Sequence, residues 1–203
     1  MSFVIFDTEY TSWEGCLQNG WNGNRKKEIV QIAAIKISDD FDVIGEFNVF
    51  CKPKINPLLS DYFIELTKIT NEKIAKDGVS FETAYNKFRE FVGEDVCFSH
   101  SWGGEFFSRG DGEVITENLK INNINDKNDI EYRNIAPIFV MLYEKYDISV
   151  KSQSSGEIIK VLGIDTDKCL FGNVHNALFD VYSIYEGLKF FDGEKQFLSK
   201  YLR

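Results

Sequence analysis

Two carboxylates follow an apolar run at the beginning of the chain, in the sequence FVIFDTE. Phe3–Phe6 is a short aromatic and β-branched segment of the kind that forms a strand buried on both faces, and Asp7 and Glu9 stand at its carboxyl end. Residues i and i+2 of an extended chain point to the same side, so these two side chains would repel each other. Because a bound cation is the usual reason for holding two anions together, the pair predicts a metal site.

Three further residues could complete such a site. Asp111 stands at the start of a predicted helix, and His175 and Asp180 stand at the start of the last predicted helix, with four residues between them. Each residue also has an ordinary structural explanation, because a carboxylate pair can cap a turn, Asp111 can be a helix N-cap and His175 can be a surface residue. A site is therefore predicted by the whole set of residues and not by any one member.

Taken together, the four carboxylates and the histidine fit one reaction. Oxygen ligands suit Mg²⁺ and Mn²⁺, and two such ions roughly 3.5–4 Å apart form a clamp for in-line displacement at phosphorus. A histidine, whose pKa is ordinarily about 6.5, can take a proton from the attacking water at neutral pH. The set predicts metal-dependent hydrolysis of a phosphodiester.

The elements that must position these residues are strands early in the chain and mixed strands and helices after them. Strands are predicted in FVIF, EIVQIAAIKISDD, DVIGEFNVFCKP and DVCFSHSW, and the polar stretch 122–134 is predicted to be a surface loop. Apolar spacing predicts two short helices in LSDYFIELTKITNEKIAKDG and one each in SFETAYNKFREFVG, GDGEVITENLKI, IAPIFVMLYEKY, SSGEIIKVLGI and HNALFDVYSIYEGLKFF. Ser154 and Glu157 form a predicted capping box. Without repeats or a linker, this order predicts a single α/β domain over residues 1–203.

Composition and charge limit the class of protein. The 203 residues are 43% hydrophobic, enough for one sizeable core, and carry a formal net charge of −9. Such an acidic chain is not expected to coat long nucleic acid, but it can still grip one strand end. Without an apolar run of about 20 residues or a signal-peptide pattern, a cytoplasmic location and no membrane partner are expected. The cysteines lack a C-x-x-C pair, which argues against zinc and against a disulfide framework: Cys16, Cys51, Cys97 and Cys169.

Five segments occur in an order that resembles a known family: FDTEYTSWEG, EIVQIAAIKI, LSDYFIELTKITNEKI, GDGEVITENL and HNALFD. Together they are similar to the DEDDh (DnaQ-like) 3′→5′ exonucleases, and the third segment is similar to the KapD-like and Eri-type RNA exonuclease branch. The resemblance spans about Phe3 to Leu188. It implies a ribonuclease H-like α/β fold with a mixed five-stranded sheet flanked by helices, two Mg²⁺ or Mn²⁺ ions, and stepwise release of nucleoside 5′-monophosphates from a 3′ end.

The same resemblance implies which residues act on the phosphate. Four carboxylates would bind the metal ions: Asp7, Glu9, Asp111 and Asp180. Asp7 would bridge both ions, and His175 would be the general base. The sequence departs from the family pattern in GGEFFSRG, an apparent insertion before Asp111 that makes Glu105 a rival for the third carboxylate. Asp111 is favoured because the match continues into the helix that follows it.

Contacts to the nucleic acid are also implied. Thr8 and Glu9 would hold the terminal 3′ hydroxyl, and the helix that carries Leu66 and Ile69 would supply an apolar contact to the last base. Trp13 lies four residues past Glu9 and is the best candidate among the tryptophans for stacking on an unpaired base, although core packing explains any one of them equally well. The remaining candidate contacts are Trp21, Trp102, Arg25-Lys26-Lys27, Lys52 and Lys54.

These expectations describe an enzyme that hydrolyses single-stranded ends, with RNA preferred only because of the branch resemblance. Two alternatives stay open. One is a DNA-directed 3′→5′ exonuclease of proofreading type, and the other is a non-catalytic adaptor that uses the same fold to bind a partner. The intact set of mutually repelling carboxylates argues against the adaptor, because an idle site has no need to retain them.

Overall fold

A five-stranded sheet forms the centre of the computed structural model, which describes residues 2–126, 130–165 and 174–202. The strands lie in the order β3-β2-β1-β4-β5, and their bounds are Ser2–Tyr10 (β1), Ile29–Ser38 (β2), Val43–Phe50 (β3), Val96–Ser99 (β4) and Tyr132–Asn134 (β5). The first three strands pair antiparallel, whereas β4 pairs parallel with β1 and β5 parallel with β4. The predicted mixed five-stranded sheet is confirmed.

Helices pack on both faces of the sheet. Their bounds are Cys16–Asn19 (α1), Asp61–Thr67 (α2), Asn71–Asp77 (α3), Phe81–Val92 (α4), Asp111–Ile121 (α5), Ala136–Lys145 (α6), Ile158–Val161 (α7), Ala177–Phe190 (α8) and Lys195–Leu198 (α9). Short 3-10 turns occupy Ser155–Glu157 and Asp192–Glu194. In the described part of the chain, no helix combines the length and the apolar character that crossing a membrane requires.

Alternate residues of β1 enter two different cores, which explains its unbroken apolar sequence. Phe3 and Ile5 pack on one face of the sheet with residues of α6 and α8. Val4 and Phe6 pack on the other face with residues of α4 and α5. A strand buried on both faces cannot move along its axis without exposing apolar side chains, so the residues that follow Phe6 are held in place.

The structure differs from the predicted elements in three places. The stretch 122–134 was predicted to be a loop, but Tyr132–Asn134 forms β5, a strand too short for an alternating pattern to be recognised. The loop after β1 contains the four-residue helix α1. The predicted capping box of Ser154 and Glu157 is confirmed, although it opens a 3-10 turn that continues into α7.

The free cysteines within the described residues are all buried: Cys16, Cys51 and Cys97. Cys169 lies outside the described residues.

Candidate active site

Three carboxylates meet where the last part of β1 faces the first turn of α8. Asp7, Glu9 and Asp180 each offer an oxygen atom, and these atoms all lie within 4.8 Å of one another. Asp7 and Glu9 are separated by one residue of β1, so they share a face of the strand as predicted. Asp180 reaches the same point because α8 packs across β1 and β2. Residues far apart in sequence thus form one acidic cluster.

Asp111 adjoins this cluster from the N-terminus of α5. Its Oδ2 accepts hydrogen bonds from the backbone N–H of Thr8 at 2.9 Å and from the Thr8 hydroxyl at 3.2 Å. Its own N–H donates to Ser99 Oγ, at the end of β4, at 3.0 Å. Gly110 has a φ of 50°, and a β-carbon there would lie 2.3 Å from Ser99 Oγ, so this turn requires glycine.

Burial raises the pKa of every carboxyl in the group, and repulsion by other carboxylates adds to the shift at Asp7, Glu9 and Asp180. Burial raises the pKa of Asp7 and of Glu9 well above the usual values, and the other carboxylates of the cluster add to both shifts. Burial also raises the pKa of Asp111 to about 6, against the lowering effect of the bonds from Thr8. It raises the pKa of Asp180 to about 7, against hydrogen bonds from Ser155 and from the His175 backbone.

The donor set fits hard divalent cations. All four side chains offer carboxylate oxygens, the ligand type that Mg²⁺ and Mn²⁺ prefer. Asp180 Oδ1 is buried and has no hydrogen-bond partner among the described residues, so it is an acceptor without a donor. A cation at this position would supply the missing partner and offset the repulsion that raises the pKa values.

Ser155 is a member of the site that the sequence analysis did not identify. Its hydroxyl lies 3.2 Å from Asp180 Oδ2 and 3.5 Å from Asp7 Oδ1, and its carbonyl accepts a hydrogen bond from Ser183 Oγ at 2.7 Å. The residue stands inside the segment SSGE, which was interpreted only as a capping box. The two small residues beside the cap, Ser155 and Gly156, could have indicated that another part of the chain approaches here, because a close approach of the backbone needs small side chains.

His175 stands beside the cluster at the entrance to α8. It has a φ of 69°, in the left-handed region, and the next residue, Asn176, caps α8 by accepting from the N–H of Leu178 at 3.2 Å. The imidazole is half-buried, and burial lowers its pKa while the nearby charge of Glu157 opposes that change. His175 is therefore neutral near pH 7 and can accept a proton.

A pocket of about 200 Å³ opens next to these groups. Its lining consists of Glu9, Tyr10, Ser12, Cys16, Leu17, Trp21, Tyr62, Leu66 and His175. Leu66 lies on α2 and lines this pocket. The placement of Ile69 on the same helix was wrong: α2 ends at Thr67, Lys68 adopts a φ of 62°, and Ile69 is buried in a core with Val30 and Phe63.

The tryptophans have different surroundings. The half-buried Trp13 has the Arg25 guanidinium 5.1 Å from its ring centroid. Trp21 lines the pocket, whereas Trp102 packs against the core beside the buried His100. Glu105, the rival of Asp111, is exposed, and its backbone carbonyl accepts from Ser108.

Comparison with known proteins agrees with this arrangement. The model of the exonuclease family RNase_T matches residues 4–188. The probable 3′-5′ exonuclease KapD of Bacillus subtilis (strain 168) is 24% identical over 199 residues, which cover 98% of this chain and 88% of KapD.

Two solved structures share the fold. Cell-death related nuclease 4 (CRN-4) has a TM-score of 0.73 at 21% identity, with 95% of this chain matched to 64% of that chain. The nuclease domain of 3′hExo, a DEDDh family member bound to rAMP, has a TM-score of 0.70 at 18% identity, with 100% of this chain matched to 94% of that chain. These two likenesses establish the ribonuclease H-like fold, and the family model, which matches most of the chain, establishes the family. The chain belongs to the RNase_T exonuclease family.

Proposed function

We propose that the chain is a divalent-metal-dependent 3′→5′ exonuclease that removes nucleoside 5′-monophosphates from single-stranded ends, with RNA preferred over DNA. The observation that carries the proposal is the meeting of Asp7, Glu9 and Asp180 within 4.8 Å, beside a pocket that also includes His175. An adaptor without catalysis would gain nothing from three carboxylates that repel one another. Membership of the exonuclease family agrees with the same conclusion.

The metal ligands in this proposal are the predicted four: Asp7, Glu9, Asp111 and Asp180. When bound, two Mg²⁺ or Mn²⁺ ions supply Lewis-acid stabilisation of the attacking and leaving oxygens at phosphorus. Asp7 is the candidate for a shared ligand, because its pKa is raised by the charges of all three other carboxylates. Asp111 is preferred to Glu105 because it contacts Thr8 of β1, whereas Glu105 is exposed.

His175 is the proposed general base. Its lowered pKa leaves the imidazole neutral at pH 7, so it can take a proton from the attacking water. The charge of Glu157 would then stabilise the imidazolium that forms. The His175 backbone also lowers the pKa of Asp180, so the base stands next to the acidic cluster.

The terminal nucleotide is assigned to the pocket. Glu9 lines this pocket and is the proposed partner of the 3′ hydroxyl, and Leu66 with Tyr62 provides an apolar surface for the last base. Thr8 acts by positioning, since its N–H and hydroxyl both donate to Asp111. Trp13 stays a candidate for stacking beyond the pocket.

RNA is preferred in this proposal because the matched nuclease domain of 3′hExo was solved with rAMP bound. The alternative with the same site and chemistry is a DNA exonuclease. The two differ at the ribose 2′ hydroxyl, which needs a partner in the site if RNA is to be favoured.

The test is a time course on 5′-labelled single-stranded RNA and DNA of one sequence, with Mg²⁺, with Mn²⁺ and with chelator. The expected result is a ladder that shortens from the 3′ end, faster on RNA, and that disappears with chelator and in His175→Asn. Asp111→Asn should abolish the ladder and Glu105→Gln should not. The reverse result would identify Glu105 as the third metal-binding carboxylate. No ladder on either polymer from a folded, metal-loaded protein would refute the proposed function and leave the adaptor.

A further inference from the structure

A second concave surface lies next to the pocket and shares one wall with it. It is a groove of about 420 Å³, lined by Trp21, Lys26, Lys27, Glu117, Lys120 and Ile121, and is called the basic groove below. Trp21 also lines the pocket assigned to the terminal nucleotide. A chain whose last nucleotide occupies the pocket can therefore continue past the Trp21 ring into the basic groove.

The walls of the basic groove are held together by specific hydrogen bonds. Asn118 of α5 donates from Nδ2 to the carbonyl of Lys27 at 2.8 Å, and its Oδ1 accepts from the N–H of Ile29 at 3.0 Å. Trp21 Nε1 donates to the carbonyl of Thr11 at 2.8 Å. The segment before β2 and the helix α5 are thus fixed to each other, so the groove is formed before any ligand arrives.

Cations dominate the basic groove, in contrast to the net charge of −9 for the whole chain. Among residues 2–126, 130–165 and 174–202, no ion pair engages Lys26, Lys27 or Lys120, although Glu117 also lines the groove. Lys27 Nζ lies 4.6 Å from the centroid of the Trp21 ring. The charge of Lys27 also lowers the pKa of Asp111, so this cation lies within electrostatic range of the acidic cluster.

We propose that the basic groove binds the nucleotides immediately 5′ of the terminal one, as a single strand. The lysines contact its phosphates, and a base stacks on the exposed part of the half-buried Trp21 ring. A single strand is required because the stacking of neighbouring bases in a duplex would hide the face that meets the ring. This inference rests on the proposed function and adds to it a subsite that makes the rate depend on the length of the substrate.

The test compares kcat/KM on single-stranded RNA of two, four, eight and twelve nucleotides. For the wild-type protein the value should rise with length until the basic groove is filled. Trp21→Ala should reduce the ratio of the twelve-nucleotide to the two-nucleotide value about tenfold, and Trp21→Phe should restore most of it. The double variant Lys26→Ala/Lys120→Ala, at two exposed positions, should also reduce the ratio. Lys87→Ala, an exposed lysine of α4, is the matched control and should keep the ratio of the wild type.

The dependence of the rate on salt concentration distinguishes the lysine contacts to phosphates from the stacking contact to Trp21. On the long substrate, the slope of log(kcat/KM) against log[KCl] should become shallower by about 0.7 for each lysine lost, whereas Trp21→Ala should keep the slope of the wild type. Equal kcat/KM values at all four lengths, or an unchanged ratio in both the Trp21 and the lysine variants, would overturn the subsite. Failure of the wild-type protein to hydrolyse RNA of any length would instead overturn the proposed function.

Discussion

Gly156 lies against the carboxylate of Asp180 so closely that a β-carbon at position 156 would stand 2.3 Å from Asp180 Oδ1. The same β-carbon would lie 2.9 Å from a methyl group of Val174, so the backbone has little room on either side. The absence of a side chain at one residue therefore determines where a carboxylate of the acidic cluster can stand. This dependence leads to a direct test of the site.

Gly156→Ala should displace Asp180 and lower kcat/KM about 100-fold, because a misplacement of about 1 Å in an active site has an effect of that order. Gly193→Ala is the matched control, since a β-carbon at that exposed glycine would contact nothing within 4 Å. Circular dichroism should show both variants folded. A Gly156→Ala enzyme with the rate of the wild type would show that the reaction does not depend on the contact between position 156 and Asp180.

Sequence patterns predicted those parts of the site that depend on local rules. Asp7 and Glu9 share a face because alternation along a strand is a property of the backbone. Ser155 was missed because its partners, Asp7 and Asp180, are 148 and 25 residues away, and no local pattern encodes that approach.

Ile69 was misplaced for a related reason. Lys68 adopts the left-handed conformation that ends α2, a position usually occupied by glycine, so the sequence contains no helix stop there. The strand β5 was missed because three residues are too few to show a period. The strand forms because it pairs with β4, a contact that lies outside the segment itself.

Position 175 needs a general base for the reaction and a residue that tolerates the left-handed backbone, and substitutions can separate these two requirements. His175→Asn and His175→Gly should both lower kcat by about 10²–10⁴, because each removes the general base. Asparagine and glycine tolerate the left-handed region, so their free energy of unfolding should stay close to that of the wild type. His175→Ala should lose the same activity and, in addition, about 1 kcal/mol of stability. Equal stability of the alanine and asparagine variants in denaturant titrations would contradict the prediction that the left-handed backbone at position 175 disfavours alanine.

Ser155 and Ser154 are neighbours, but we expect Ser155 to affect metal binding and Ser154 to affect stability. Ser155→Ala removes the donor that holds down the pKa of Asp180 and of Asp7, so protons should compete better with the metal. The Mg²⁺ concentration for half-maximal rate at pH 7 should rise about tenfold, with a smaller change in the rate at saturating Mg²⁺. Ser154→Ala is the comparison, because it removes the capping-box hydroxyl and should lower the melting temperature without changing the metal requirement. An identical Mg²⁺ dependence in all three proteins would exclude this function of Ser155.

The raised pKa values predict that the metal-free protein becomes less stable as the pH rises. Unfolded Asp and Glu titrate near 3.9 and 4.3, whereas the pKa is about 6 for Asp111 and about 7 for Asp180 in the folded protein. Between about pH 4 and pH 7 the folded state holds protons that the unfolded state has released, so the free energy of unfolding falls across this window. In chelator, the melting temperature should therefore decrease from pH 5 to pH 7.5.

Asp180→Asn isolates the contribution of the acidic cluster to this pH dependence. The amide does not titrate, so the melting temperature of the variant should decrease less over the same window than that of the wild type. Mn²⁺ should raise the melting temperature of the wild type more at pH 7.5 than at pH 5, because protons occupy the carboxylates at the lower pH. Parallel pH profiles for the two metal-free proteins would show that Asp180 is already ionised in the folded state. In that case the acidic cluster would tolerate its own repulsion without a proton or a cation.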